Sequence, residues 1–300
     1  MSQPYVLGSH IGDWYWMVES PRGIFKAPGS PTDAEWIAKM ATCSFIERHA
    51  KQPIAVGNLL SPYASLEVGK DYMLSLAFNP VVTDSMPFLA YGLDESPGEG
   101  SVLSSLSLAC KVTVAGSDTY IKMKNCQIVS AALGFGRSGA LSAQVQISGL
   151  LHARDANAPT NWTLIDDPEN SPLTSLDGGT TPLAIKDLTT GTTETPDLLQ
   201  LAFSQVNTPS YVPSALSKTW KDNPIAACTR TVAFTTPYID DGLRTLLVAD
   251  HYLRATWTVK TATHSIEFNK GKMDTESLTQ TPGVIMKPYR IIHFQSSAVS

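Results

Sequence analysis

The sequence is short of charge, and what it has is not in excess on the basic side. Charged residues make up 16% of the 300, and 22 Lys and Arg against 27 Asp and Glu leave a net charge of −5. A protein that grips nucleic acid by releasing counterions from phosphates needs the opposite sign, so tight nucleic-acid binding is not expected. Cysteine is scarce too. Cys43, Cys110, Cys126 and Cys228 include no C-x-x-C pair, which excludes a zinc ribbon or a thioredoxin-like motif and leaves free thiols as the expectation. No stretch reaches the ~18 apolar residues of a membrane helix, and the start lacks the basic and apolar regions of a signal peptide. The protein is therefore expected in the cytoplasm, with no membrane partner. In that setting Asn161-Trp162-Thr163 carries no weight as a glycosylation site.

Catalytic signatures are absent as well. There is no G-x-S-x-G, no H-E-x-x-H and no phosphate-binding G-x-x-x-x-G-K-[ST]. The six histidines, at 10, 49, 152, 251, 264 and 293, never share metal-ligand spacing with another His, Cys or carboxylate. Asp250-His251 reads as a solvated pair beside a turn. Asp166-Asp167 and Asp240-Asp241 are sequence neighbours that would not face one another on a regular element, and the second fits a helix cap. Gly134-x-Gly136-x-x-Gly139 has the letters of a dinucleotide fingerprint. It lies between two strand patterns and not ahead of a helix, so a hairpin turn is the better reading. No enzyme activity, cofactor or metal is expected.

What is present is alternation. A 43% hydrophobic content supports sizeable cores, and from Lys111 to Gly149 apolar and polar residues take turns, as in half-buried strands. Ala115 to Thr119 and Gly134 to Gly139 read as the turns of an antiparallel meander. Upstream, Tyr72 to Phe78 reads as a strand. A helix capped by Asp84 follows, with Met86, Leu89, Ala90 and Leu93 on one face.

The order strand, helix, meander recurs. Val232-Ala-Phe234 and Asp240 stand 156 residues after Leu76-Ala-Phe78 and Asp84, and Ile239, Leu243, Leu246 and Leu247 line a second helix. Thr258-Val259, Ile266, Phe268, Met273 and Leu278 stand 145 residues after Thr113-Val114, Ile121, Met123, Ile128 and Leu133. A longer loop at Glu95 to Ser101 in the first copy absorbs the difference. The match fails near its end, where Val145 falls against Arg290 and Ala143 against Pro288. The expected division is an N-terminal arm and loop (1–62), a first lobe (63–153), a Pro/Gly/Thr-rich linker (154–196) and a second lobe (197–300). Within the first segment, Ser30 to Met40 carries a helix pattern with Pro31 at its first position.

The run from Asn125-Cys126 through Gly134-Phe-Gly-Arg-Ser-Gly139 to Gly149 resembles the middle of the major tail tube proteins of long-tailed bacteriophages. The stretch with Val232-Ala-Phe234, the helix after Asp240, the hairpin Trp257 to Phe268 and the closing strand Tyr289 to Phe294 resembles their C-terminal portion. The resemblance implies a mainly β fold, with two tandem β-sandwich or half-barrel tube lobes, each with a short flanking α-helix, contributing to an oligomeric inner β-barrel. It also implies a virion structural protein that self-assembles into stacked rings, the conduit for DNA ejection. The chain would be its own main partner, as a trimer with pseudo-sixfold symmetry or alternatively a hexamer. Further partners would be the tail tip or baseplate, the tape measure and the tail terminator, with DNA passing through unbound. Trp14, Trp16, Pro288 and Tyr289 are the candidate subunit-interface residues: the tryptophans as aromatics on an N-terminal arm, and Pro288 as a missing ladder donor expected at a sheet edge. A virion surface protein or binding module with a β-sandwich fold, or a β-sandwich hydrolase, are the alternatives.

Overall fold

The structure is a computed structural model that describes residues 11–54, 64–80, 82–93, 105–114, 116–136, 141–164, 183–209, 212–213, 220–222, 225–237, 241–259, 264–276, 279–281 and 284–299. It is mainly β. In chain order the first half contains β1 (Ile11–Val18), β2 (Thr32–Asp33), β3 (Glu35–Trp36), β4 (Met40–Ile54), β5 (Ala64–Phe78), helix α1 (Val82–Leu93), β6 (Leu106–Val114), β7 (Ser117–Phe135), β8 (Leu141–Asp155) and β9 (Trp162–Thr163). The second half has β10 (Leu183–Asp187), β11 (Thr193–Glu194), β12 (Gln200–Pro209), β13 (Val212–Pro213), β14 (Trp220–Asp222), β15 (Ile225–Thr236), α2 (Asp241–Ala249), β16 (Leu253–Val259), β17 (His264–Glu276), β18 (Thr279–Thr281), β19 (Val284–Ile292) and β20 (Ser296–Val299).

The meander forms as its alternation predicts. Val114 pairs with Ser117, so the first turn is tighter than the spacing suggests, and Gly116 supplies its positive φ of 80°. Phe135 pairs with Leu141, so β7 and β8 are antiparallel neighbours on either side of the stretch after Phe135, and Gly134 lies within β7 itself. On β8, Leu141, Ala143, Val145 and Ile147 are buried while Ser142, Gln144 and Gln146 are exposed.

Both helices fall near their expected places. Helix α1 begins at Val82, which puts Asp84 inside it and not at its cap, and Pro87 sits within its exposed face. Met86, Phe88, Leu89 and Leu93 are buried, and Ala90 only half so. The helix lies close on β7, because a Cβ at Gly92 would stand 2.7 Å from the Ala131 Cβ and 2.8 Å from Ile128 Cγ2. In α2, Leu243 and Leu246 are buried and Leu247 is half-buried; Ile239 and Asp240 lie outside the described residues.

The N-terminal segment differs from the expectation. No helix forms from Ser30 to Met40; the chain there makes β2, β3 and the start of β4. The physical reason is tertiary: β1 offers an edge to which Trp36 pairs through Tyr15, and Ile37 N donates to Trp14 O at 3.1 Å. The stretch read as a linker likewise contains β9, β10 and β11. Asp166-Asp167 lie outside the described residues.

The two halves pair their strands in one and the same order. In the first half β3 pairs β1, β1 pairs β6, β6 pairs β7, β7 pairs β8, β8 pairs β5 and β5 pairs β4. In the second half β11, β10, β16, β17, β19, β15 and β12 follow one another in that sequence. Registers agree in detail. Leu106 opposes Cys126 with a bulge before Leu108, as Leu253 opposes Gly271 with a bulge before Ala255. Ile128 opposes Ile147 with Val129 bulged before Ser130, as Met273 opposes Ile291 with Asp274 bulged before Thr275. Asn125 and Lys270, each just before one of these paired positions, both adopt positive φ, 51° and 59°.

Register therefore aligns the halves differently from sequence spacing alone. β7 keeps the offset of 145 to β17, but β8 lies 144 residues before β19 and β5 lies 158 before β15. Val145 then corresponds to buried Tyr289 and Ala143 to buried Lys287. The apparent mismatch against Arg290 and Pro288 is a slip of one residue, which in a strand turns every side chain to the other face.

Candidate assembly interface

Among the described residues, β12 is the strand that pairs across the two halves. β12 pairs β15 on one side, and on the other it lies antiparallel on β7, with Leu201 opposite Phe135, Phe203 opposite Leu133, Gln205 opposite Ala131 and Val206 opposite Ser130. Alternation on β12 buries Leu201, Phe203, Gln205 and Asn207 and leaves Val206 exposed. Phe203 packs edge-on to Phe268 at 5.0 Å and against Trp257 at 5.8 Å, so the junction is continuous with the second half's core.

Polar side chains lock the register. Asn207 Nδ2 donates to Ile128 O at 2.8 Å, capping a carbonyl beside the Val129 bulge. Gln205 Nε2 donates to Asn207 Oδ1 at 2.8 Å, and buried Arg230 donates through Nε to Gln205 Oε1 at 2.8 Å and to Ser297 Oγ at 2.9 Å. Arg230 Nη1 reaches Phe294 O at 3.4 Å and Gln295 O at 3.3 Å. At the far end of the junction Gly134 admits the partner backbone. A Cβ there would stand 2.3 Å from Leu201 O.

Among the described residues, the counterparts of these two joined edges carry no further strand. β4 corresponds to β12, and among the described residues it pairs only β5. β17 and β18 correspond to β7, and among the described residues 272–276 and 279–281 pair only β19. A strand edge with no neighbouring strand is a template for another strand. Ile46 on β4, an apolar side chain 53% exposed, lies along the β4 edge.

The four residues expected at a subunit interface lie within the sheet of one chain. Trp14 and Trp16 lie in β1 opposite Cys110 and Leu108 and are buried in their own chain. Trp14 Nε1 donates to Cys43 Sγ at 3.3 Å, and Trp16 packs on Phe88 and Tyr91. Their aromatic surface is used inside the fold, because β1 is a sheet strand and not a free arm. Deleting residues 1–20 is accordingly expected to unfold the first half, read as loss of the cooperative thermal transition, and not merely to block assembly. Pro288 is not on an edge strand either: β19 has partners on both sides, and Pro288 lies opposite Thr235. Tyr289 is buried and stacks on Phe234 at 5.2 Å.

Two buried carboxylates are structural ties that the sequence did not single out. Glu19, 3% exposed, follows β1. It accepts from Gly23 N at 2.7 Å, Asn125 N at 2.8 Å, Ser107 Oγ at 3.0 Å and Ser105 Oγ, which fastens the end of β1 to β6 and β7. Burial raises its proton affinity above the ordinary glutamate value in spite of these donors. The contribution of such a carboxyl is fully present below the unfolded-state value of 4.5 and is lost as pH rises through the higher folded value. Thermal melts from pH 4 to pH 7 should show the stability difference between the native protein and Glu19→Gln shrinking as pH rises; a widening difference would refute this assignment.

Asp187 is the second tie. Burial alone would raise its carboxyl, but hydrogen bonds from His251, Thr189 and Thr190 outweigh that and hold it well below the usual range. His251 Nδ1 lies 2.8 Å from Asp187 Oδ2, while its sequence neighbour Asp250 takes Lys272 at 2.9 Å. Asp250 and His251 thus serve two different elements. Among the described residues no three His, Cys, Asp or Glu side chains are grouped to hold a metal ion. The cysteines are free thiols, and burial pushes that of Cys126 well up.

No protein-family model matches the sequence, and no curated protein matches it. The functional reading therefore rests on the residues and on the geometry of the sheet.

Proposed function

We propose that this chain is a virion structural protein that assembles with itself, the subunit of a bacteriophage tail tube. The observation that carries the reading is the pairing between halves: β12 is already laid on β7, while among the described residues the strands corresponding to these two have no neighbour on that side. A chain built in this way is a segment of a longer cyclic sheet, and closure of the circle removes the exposed edges.

In this reading the chain arose by duplication of one β unit, and each copy is a tube lobe. The pairing order extends both lobes beyond the expected boundaries, to about 11–155 and 183–299, with β1 and β10 as their first strands. The bulges and positive-φ residues at corresponding positions support duplication more strongly than side-chain identity does, because backbone irregularities outlast the side chains around them. Three chains supply the six lobes of a tube ring, which would then stack into a conduit capped by tail tip and terminator proteins and filled by a tape measure. A net charge of −5 suits a passage through which DNA slides without being held.

Negative-stain microscopy of concentrated protein, alone or with a tail-tip nucleus, is expected to show rings or hollow tubes, and native mass spectrometry of a ring three chains. Protein that stays monomeric at every concentration and with a nucleus would overturn the proposal. Six chains per ring would make the second half an accessory domain and not a tube lobe.

A further inference from the structure

The hairpin at the start of each half is closed in two different ways. In the second half β10 turns into β11 through residues 188–192, and Asp187 N donates to Thr192 O at 2.8 Å. In the first half the connection from β1 to β3 takes residues 19–34 and adds Phe25 and Ala34 to a small core with Tyr15, Trp36, Ala109 and Trp162. The short turn shows that a lobe closes without the longer route, which is an addition to the fold. We propose that residues 19–34 form a strap clamped by an aromatic stack on His152, and that protonation of His152 opens it. The strap stands apart from the strands of the assembly reading.

The clamp is a set of near-parallel rings. Phe25 stacks on His152 at 4.6 Å with the planes 4° apart, and on Trp162 at 5.3 Å with the planes 13° apart. His152 is aimed there by a bulge: Lys122 pairs with Ala153 and Met123 with Leu151, which leaves His152 opposite no residue of β7. Trp162 Nε1 donates to Lys26 O at 2.8 Å, and β9 runs parallel to β2, with Thr32 N donating to Asn161 O at 2.9 Å and Ala34 N to Thr163 O at 3.2 Å. At the near end Lys26 N donates to Ser107 Oγ at 2.8 Å, beside the Glu19 tie. The stack is the exposed part of this fastening, since Phe25 is half-buried and His152 exposed.

The charges around His152 favour the neutral ring. An imidazolium would face Lys124 and Lys122 of β7, while the Asp155 carboxylate of β8 is engaged by Lys122 Nζ at 2.9 Å. What the strap and β9 bring to the stack, Phe25 and Trp162, is uncharged. Desolvation, then the two lysines, hold the proton affinity of His152 below the ordinary imidazole value of 6.5. The clamp's contribution is therefore fully present above 6.5 and is lost as pH falls through the lower folded value. Neighbouring acids do not mimic this. Glu19, with its raised proton affinity, makes the near end firmer in acid, and Asp155 is held below 3.8 and stays ionised in the same range.

Hydrogen exchange on the full-length protein tests the strap. Between about pH 7.5 and about pH 5, protection factors at the Lys26, Thr32 and Ala34 amides should fall about threefold or more, while the amides of the β7–β12 junction keep theirs. His152→Phe keeps a ring on Phe25 that takes no proton, so its strap should be equally protected at both pH values. Phe25→Ala removes the stack and should show low protection at both. The His152 ring resonance, identified by its loss in His152→Phe, should titrate below 6.5. Acid loss of protection that persists in His152→Phe would overturn the proposal, as would its absence from the native protein. So would a ring that titrates at or above 6.5, the result if attraction of the cation to the Phe25 face prevailed. Should either variant lose its cooperative melt, the native protein's exchange and ring titration decide the matter by themselves.

Discussion

Arg230→Met is expected to lower stability by about 3–5 kcal/mol, seen as a fall in the urea midpoint and a melting temperature reduced by roughly 10 °C. The side chain is 2% exposed and sits where β12, β15 and the segment leading to β20 converge. Methionine fills most of its volume but donates nothing. The Phe294 and Gln295 carbonyls and Gln205 Oε1 would then lose a charged donor in a site closed to water. Arg230→Lys should recover only part of the loss, because one ammonium cannot span acceptors that the guanidinium fork reaches in two directions. Hydrogen exchange would locate the damage. The Ser296–Val299 strand, which pairs with Ile266 to Asn269 of β17, should lose protection first. If Arg230→Met melts within a degree or two of the native protein, the network is ornament and the junction is held by apolar packing alone.

Strands with one wet face were legible from the sequence, and elements held by distant partners were not. β7 and β8 alternate cleanly because one face is buried, so their period shows in the residues themselves. The Ser30 to Met40 stretch puts Trp36, Ile37 and Met40 on one helical face, but Trp36 is claimed by an edge on β1 some twenty residues earlier, and no local signal announces that pairing. Aromatic residues near the start were read as available to a neighbour because nothing in their own vicinity could cover them. The cover comes from β6 and α1, far along the chain. The repeat was visible but misaligned in places, since offsets read from side chains miss single-residue bulges, whereas hydrogen-bond register counts them. That β4 and β17 each lack a neighbour on one side among the described residues has no sequence signature; it comes from the pairing of the described strands.

Gly134→Val is expected to separate the two halves without unfolding either. From sequence Gly134 reads as a turn glycine, yet it lies inside β7 and pairs with Ala202. Its role is close approach: a Cβ would meet Leu201 O at 2.3 Å and the Ala202 Cα at 3.0 Å, both backbone atoms that no rotamer change can move. A branched side chain at this position must push β12 off β7, at a cost of about 3 kcal/mol or more. Within each half the pairing orders from β3 to β4 and from β11 to β12 are untouched. The single cooperative melt expected of a sheet continuous through β7 and β12 should therefore become two transitions, with limited proteolysis cutting between the halves. Assembly should fail as well, because a ring whose within-chain junction is broken cannot close. Gly136→Val is the control, since a Cβ there meets nothing within 4 Å and the position lies just beyond the paired segment. A Gly134→Val protein that melts in one transition and still forms tubes would show that the β7–β12 pairing is neither the seam between the halves nor the template for the contact between chains.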